Sequence, residues 1–235
     1  LADVVEIPAG ERAYREIRRR IVSLELKPNQ AIGEVFLADE LRMSRTPVRE
    51  ALTRLSGEGL VDFRARAGTI VSPIRLEAVR TAQYVREKLE LAIVEEAALT
   101  QSNRAIFNIR QTIEEQRFSI AEGDMALFFS ADERMHRCFS EMVGRGPVWT
   151  IISEAKRHMD RLRRLSLQDT DLNQLLIDHE NILAAIEGGN AADARSVLKV
   201  HLGRVMEDID RLSSQYKDYF SLPENNDVEI AQETR

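Results

Sequence analysis

Leu37-Ala38-Asp39-Glu40-Leu41-Arg42-Met43-Ser44-Arg45-Thr46-Pro47-Val48-Arg49-Glu50-Ala51-Leu52 decides how the N-terminal third of the chain folds. Glu34 to Leu41 can form a short helix, and Ser44 is a suitable N-cap for a second running from about Arg45 to Ser56. Pro47 falls in the first turn of that second helix, where its missing N–H costs little, and Gly57 and Gly59 end it. Leu37, Leu41, Val48, Leu52 and Leu55 supply the apolar contacts between the two helices and their support. Arg45, Thr46 and Arg49 are left on the outer face of the second helix's start. Two guanidinium forks and a hydroxyl at a helix N-terminus suit a DNA major groove, where Arg pairs with guanine O6 and N7. The ordinary alternative is a helix with solvated arginines.

The flanking segments favour the first reading. Ala13 to Leu24 is amphipathic, with Tyr14, Ile17, Ile21 and Leu24 on one stripe among Arg15, Arg18, Arg19 and Arg20. Lys27-Pro28-Asn29-Gln30 breaks it. After the helix pair, Leu60–Arg64 and Thr69–Ser72 read as two short strands around Ala65-Arg66-Ala67-Gly68, a small wing whose Arg66 and Gly68 can approach a minor groove or backbone. Helix, turn, helix and basic wing thus occur in order.

Residues 1–73 are therefore read as a winged helix-turn-helix domain, 74–76 as a linker, 77–221 as an all-helical domain and 222–235 as a polar tail. Net charge is −6, which alone argues against a nucleic-acid binder, but it is unevenly spread. Up to Leu76 there are 13 Lys and Arg against 11 Asp and Glu, and beyond it 20 against 28, giving +2 and −8. The 235 residues, 43% apolar and 31% charged, suit a globular protein of two domains. No apolar run approaches the roughly 20 residues that span a bilayer. No signal peptide is visible, and because the chain opens on Leu1 a further stretch can precede it. Cys138 is the sole cysteine, which excludes an intramolecular disulfide and fits a reducing cytoplasm.

Beyond Leu76 nothing alternates like a strand. Helices are expected near 77–100, 103–121, 125–143, 148–166, 172–187 and 191–217, with Asn190 capping the last, forming an antiparallel bundle. All four histidines lie here. His136 follows Asp132 by one helical turn on a face with Phe128, Phe129, Phe139 and Val143. His179 shares a stripe with Leu172, Leu175, Leu176, Ile182 and Ile186, and His201 one with Val197, Leu198 and Val205. Three helices thus aim one carboxylate and three imidazoles at the core. Buried polar groups need partners. Separate hydrogen bonds in the core would satisfy them, and so would one divalent metal, Zn²⁺ or else Ni²⁺, Mn²⁺ or Fe²⁺; pattern alone leaves both readings open. Arg86 is out of place on the apolar stripe of Val79, Ala82, Leu89 and Ile93. It either pairs with Glu90 one turn on or clamps an effector carboxylate. Arg157, His158 and Arg161 form a further basic cluster, read as solvated.

The string Ser44-Arg45-Thr46-Pro47-Val48-Arg49-Glu50-Ala51-Leu52, with Leu55 and Gly57-Glu58-Gly59-Leu60-Val61, resembles the GntR family of bacterial regulators over about Ala13 to Pro73. The resemblance implies DNA contacts at Arg45, Thr46 and Arg49 and an approach at Gly68. Arg42 departs from it, standing where the family usually has glycine, so that either the turn differs or Arg42 adds a phosphate contact. Asp132-x-x-x-His136, His179-x-x-Ile182-x-x-Ala185-Ile186 and His201-Leu202 resemble the FCD sensor domain of the FadR-type subfamily over most of Leu76 to Lys217. That resemblance implies a six- or seven-helix bundle, a metal held by Asp132, His136, His179 and His201, a small carboxylate effector with Arg86 as its clamp, and homodimerisation on operator DNA. It argues against long acyl-CoA esters, whose sensors generally lack this metal set. The expectation is a mainly α, non-enzymatic DNA-binding regulator, commonly a repressor. Two alternatives are a DNA-binding architectural protein with a purely structural metal and a metal-dependent hydrolase, for which no separate general base is evident.

Overall fold

The computed structural model describes residues 7–64, 68–167 and 169–220. Arg66 and the tail 222–235 lie outside the described residues.

Helix α1 (Ala9–Val22) buries Ala13, Tyr14, Ile17 and Ile21 against the helix pair α2 (Glu34–Leu41) and α3 (Arg45–Gly57). It ends two residues earlier than its stripe suggests because Leu24 adopts the left-handed region, φ 65°, and turns its side chain toward the helical domain. The turn between α2 and α3 keeps the left-handed backbone that its glycine-like position demands: Arg42 has φ 53° and ψ 46°. A non-glycine residue takes that region only at some cost, so the helix-pair geometry overrides the residue's own preference. Ser44 stands at the N-cap position of α3 with extended backbone, yet its hydroxyl makes no capping hydrogen bond. Strands β1 (Val61–Arg64) and β2 (Gly68–Val71) pair antiparallel, Val61 opposite Val71 and Arg64 opposite Gly68, and Ala31 adds a single bridge to Ile70.

The chain then passes straight into α4 (Leu76–Thr100). Ile74 of the expected linker is fully buried, its N–H donates to the Tyr219 carbonyl at 2.7 Å, and it forms a parallel bridge with Phe220. The helical domain continues through α5 (Asn103–Glu122), α6 (Met125–Met142), α7 (Gly146–Ala155), α8 (Arg157–Ser166), α9 (Leu172–Glu187), α10 (Ala191–Glu207), α11 (Ile209–Gln215) and a 3₁₀ turn at Lys217–Tyr219. Side-chain caps set several starts. Ser102 receives Ala105 N–H, Asp124 receives Leu127 N–H, Asp171 receives the N–H groups of Asn173 and Gln174, and Asn190 receives Asp193 N–H as expected. Each such cap is worth about 1 kcal/mol. The core runs between α4, α5, α6, α9 and α10 through Val94, Ile109, Met135, Phe139, Ile182, Ile186 and Leu198.

Two long expected helices are broken. The 148–166 segment is α7 and α8, meeting at Lys156, and the 191–217 segment is α10 and α11, meeting at Asp208. Nothing in Ala155-Lys156-Arg157 forbids a helix. The break places the Lys156 ammonium, 1% exposed, between Glu133 at 2.5 Å and Asp160 at 2.6 Å, so a tertiary ion cluster decides it.

Candidate metal centre and nucleic-acid face

On the DNA-binding domain, the start of α3 presents Arg45, Thr46 and Arg49 to solvent, the two arginine side chains 61% and 63% exposed. Both reach one carboxylate, that of Glu34 at the start of α2: Arg49 donates through Nε at 2.9 Å and Nη2 at 2.8 Å, and Arg45 sits at 3.4 Å. These guanidiniums hold the Glu34 carboxyl below its usual range. Gly68 is exposed at the wing, with φ 71° and open space where a Cβ would stand. Its left-handed backbone is a reason for glycine there independent of any DNA contact.

In the helical domain, α6 supplies Asp132 and His136, α9 supplies His179 and α10 supplies His201. All four are buried, and one donor atom from each lies within 4.8 Å of every other. His136 Nε2 is 3.2 Å from His201 Nε2 and 3.9 Å from Asp132 Oδ1. His179 Nε2 is 3.4 Å from Asp132 Oδ1 without hydrogen-bond geometry, and both atoms are left without a hydrogen-bond partner. Such orphans are expensive in a protein interior. Atoms that ligate one ion at about 2.0–2.2 Å stand roughly 3–4 Å from each other. The N₃O donor set and its unsatisfied atoms therefore fit a divalent metal.

Polar groups stand behind each imidazole, but only His179 gains a hydrogen bond there; His136 Nδ1 and His201 Nδ1 are left without one. Gln116 Oε1 on α5 meets His179 Nδ1 at 2.5 Å, Glu90 Oε2 on α4 lies 2.7 Å from His136 Nδ1, and Asp178 Oδ2 lies 3.8 Å from His201 Nδ1. Arg204 in turn donates to Asp178, through Nη2 at 2.9 Å. Gln116 fixes His179 Nδ1 and so turns its Nε2 inward, and the Glu90 carboxylate faces His136 in the same sense, which orients imidazoles for a common ion. Asp132's second oxygen accepts from Arg163 Nη2 on α8. Burial opposes ionisation of Asp132, but the Arg163 guanidinium leads the charges that outweigh it and hold the carboxyl well below its usual range. Burial, with His201 alongside, pushes His179 well below the ordinary imidazole value. His201 is lowered to about 4, burial outweighing the pull of the nearby Asp178 carboxylate. Both are neutral, and thus competent to ligate, near pH 7.

Sequence reasoning missed Gln116, Glu90 in its contact with His136, Asp178 and Arg163. Gln116 carried a signal: it continues the buried stripe of Ile109 and Ile113, where a polar residue is as unexpected as Arg86. Arg86 is buried and pairs with Glu90, Nε at 2.7 Å and Nη2 at 3.5 Å. The guanidinium edge that a bidentate carboxylate would take is thus occupied. Nη1 meets only the Met159 thioether at 3.7 Å, a weak acceptor.

The basic cluster of α8 is not solvated. Arg161 is 0% exposed and donates to the Ser72 and Pro73 carbonyls where the wing leaves the DNA-binding domain. His158 is buried and its Nδ1 accepts from the Arg75 N–H at 3.3 Å. Arg157 lies 3.5 Å from Glu58, beyond the end of α3. The correction has a simple cause: one domain covers a surface of the other that helical periodicity within either cannot reveal. Burial, then the nearby Arg161 and Arg75 charges, lowers His158 to about 3.

A winged helix-turn-helix joined to a helical domain that encloses an Asp-His₃ cluster defines a class, the two-domain DNA-binding transcription regulators. Residues 9–71 match the family of bacterial regulatory proteins named gntR, and residues 83–204 match the FCD domain. The chain belongs to the gntR family of DNA-binding transcription regulators and carries an FCD domain. Its relatives are regulators rather than enzymes. It is 32% identical over 209 residues, 88% of each chain, to an HTH-type transcriptional regulator in an unstable DNA locus of Streptomyces ambofaciens. It is 26% identical to the HTH-type transcriptional repressor RspR of Escherichia coli K12, covering 91% of this chain and 94% of that one. The gluconate operon transcriptional repressor of Bacillus licheniformis is 24% identical over 76% of this chain and 75% of its own. The fold is shared with E. coli McbR/YncC, TM-score 0.76 at 18% identity over 90% of this chain and all of the other. Among the described residues no helix is long and apolar enough to cross a membrane.

Proposed function

We propose that this regulator is a homodimeric repressor whose affinity for operator DNA is set by a small carboxylate metabolite at a metal centre in its helical domain. The observation that carries the reading is the set of unpartnered buried atoms in a four-donor cluster, Asp132 Oδ1 and His179 Nε2 facing each other and His136 Nδ1 and His201 Nδ1 besides. Asp132, His136, His179 and His201 hold the ion, zinc being the first choice for three imidazoles and a carboxylate. When bound, the metal supplies open coordination positions that a carboxylate can fill. The chain's own residues do the rest. Glu90, Gln116 and Asp178 orient the imidazoles, Arg163 keeps Asp132 ionised, and Arg86 offers Nη1 as a single charged donor while Glu90 keeps its other edge. Arg45, Thr46 and Arg49 enter the major groove, with Arg66 and Gly68 at the wing tip. Paired half-sites in a dimer give the buried area that one small winged domain lacks. Two relatives are named repressors, and one is named for an operon of gluconate, itself a small hydroxy carboxylate.

A ligand that binds only the folded state raises the melting temperature. Metal-loaded protein screened against sugar acids, hydroxy acids, dicarboxylates and amino acids yields a stabilising carboxylate whose effect vanishes once the metal is stripped and which releases operator DNA in an anisotropy assay. The burial of all four donors favours one other reading, a purely structural ion with no effector. Confirmed metal and no stabilising carboxylate across the panel would establish that reading instead.

A further inference from the structure

A cavity lies at the seam between the domains, away from the Asp-His₃ cluster. Its volume is about 440 Å³. Leu24 and Lys27, from the connection between α1 and α2, form one side, and Met125, Arg164, Tyr216 and Tyr219 of the helical domain form the other. Volumes of roughly 300–1,000 Å³ are those of small-molecule sites, which favour domain boundaries.

Arg164 is the unusual member. Its Nε is buried without a hydrogen-bond partner, and it makes no ion pair among the described residues. Its guanidinium carbon stands 4.0 Å from the centre of the Phe129 ring, which fixes its plane without neutralising its charge. The acids nearest in effect are engaged elsewhere: Glu25 with Arg19, Asp160 with Lys156, and Glu133 with Lys156 and Arg163. A partly desolvated guanidinium with a free donor is an expensive feature unless an anion meets it. Leu24 adds a second one, since its left-handed backbone is unfavourable for a branched side chain and is retained here to pack on the helical domain beside the cavity.

We propose that this cavity binds an organic oxyanion, a carboxylate or phosphate head on an apolar body. Arg164 receives the head as a fork, with Lys27 as a second cation, and Leu24, Met125 and the two tyrosines pack against the body. Because both domains line the site, its occupant bears on their relative placement independently of the metal centre.

The test uses the metal-loaded full chain, with phenyl phosphate and phenylacetate as probes, isothermal titration for affinity and ¹³C-methyl methionine NMR for location. Binding of either probe shifts the Met125 methyl and leaves unmoved Met135, which neighbours Gln116 beside the metal cluster. Arg164→Gln weakens binding at least tenfold and Arg164→Lys less, both with unchanged metal content and unliganded melting temperature. Preference for one probe identifies the head group. The proposal is overturned if neither probe binds at millimolar concentration, if Arg164→Gln binds as the wild type does, or if Met135 responds and Met125 does not. Inorganic phosphate binding as tightly as phenyl phosphate would overturn the apolar half.

Discussion

The outer face of α3 and the Asp-His₃ cluster treat their functional side chains in opposite ways. Arg45 and Arg49 are more than half exposed and share one carboxylate, Glu34. Asp132, His136 and His179 are almost wholly buried, and each has a partner behind it: Arg163, Glu90 and Gln116. A face that meets a long, hydrated polyanion keeps mobile cations that re-pair on contact. A site for one small ion must be correct to a few tenths of an ångström beforehand, so its orientation is built into the core.

This contrast can be broken most forcefully at the cluster. His179→Ala is expected to leave the purified protein nearly free of metal by atomic emission and to lower its melting temperature in the same preparation. Full metal content would remove His179 from the ligand set. The supporting shell sharpens the point: Gln116→Leu and Asp178→Asn should each weaken metal affinity about 10- to 100-fold in a chelator competition, with the four ligands intact. On the exposed side, Arg49→Ala should cost about 5- to 150-fold in operator affinity and relax sequence preference, with no loss of thermal stability. Uniform weakening on every DNA would make Arg49 a phosphate contact.

Between the two regions, His158 gives the joint a pH signature. An ordinary imidazole titrates near 6.5, and burial beside Arg161 and Arg75 lowers His158 to about 3. Below pH 6.5 the unfolded chain takes up a proton that the folded one refuses, so stability is fully present above 6.5 and falls as pH drops toward 3. The loss approaches about 2 kcal/mol by pH 5. Urea midpoints at pH 7 and pH 5 should show a shallower acid decline in His158→Gln than in the wild type, and equal slopes would count against its burial. The smallest effect is expected from Glu34→Gln. Freeing both arginines should raise DNA affinity by no more than about fivefold at low salt, fading as salt screens the pair.

The sequence was most legible where one helix face answers to one core. The stripes of α6, α9 and α10 were enough to send Asp132, His136, His179 and His201 to a common interior, and Leu37, Val48 and Leu52 to the helix pair. It was least legible where a second element decides. Arg161 reads as a solvated cation until the wing exit is laid across it. Lys156 reads as mid-helix until Glu133 and Asp160 draw it inward. Glu90 could be paired with Arg86 by spacing alone, but its reach to His136 on another helix is a tertiary fact.

Arg161 also bears on how such a chain can vary. Its acceptors are the carbonyls of Ser72 and Pro73, groups that every amino acid carries. This contact therefore reads the path of the backbone, whereas Arg157 on Glu58 and the packing of Leu24 read side chains. A wing of quite different sequence would keep the Arg161 contact so long as the exit strand followed the same course, provided that Glu58 and Leu24 stayed in place to meet the helical domain. The exposed face of α3 can thus drift while this contact between the two domains is kept.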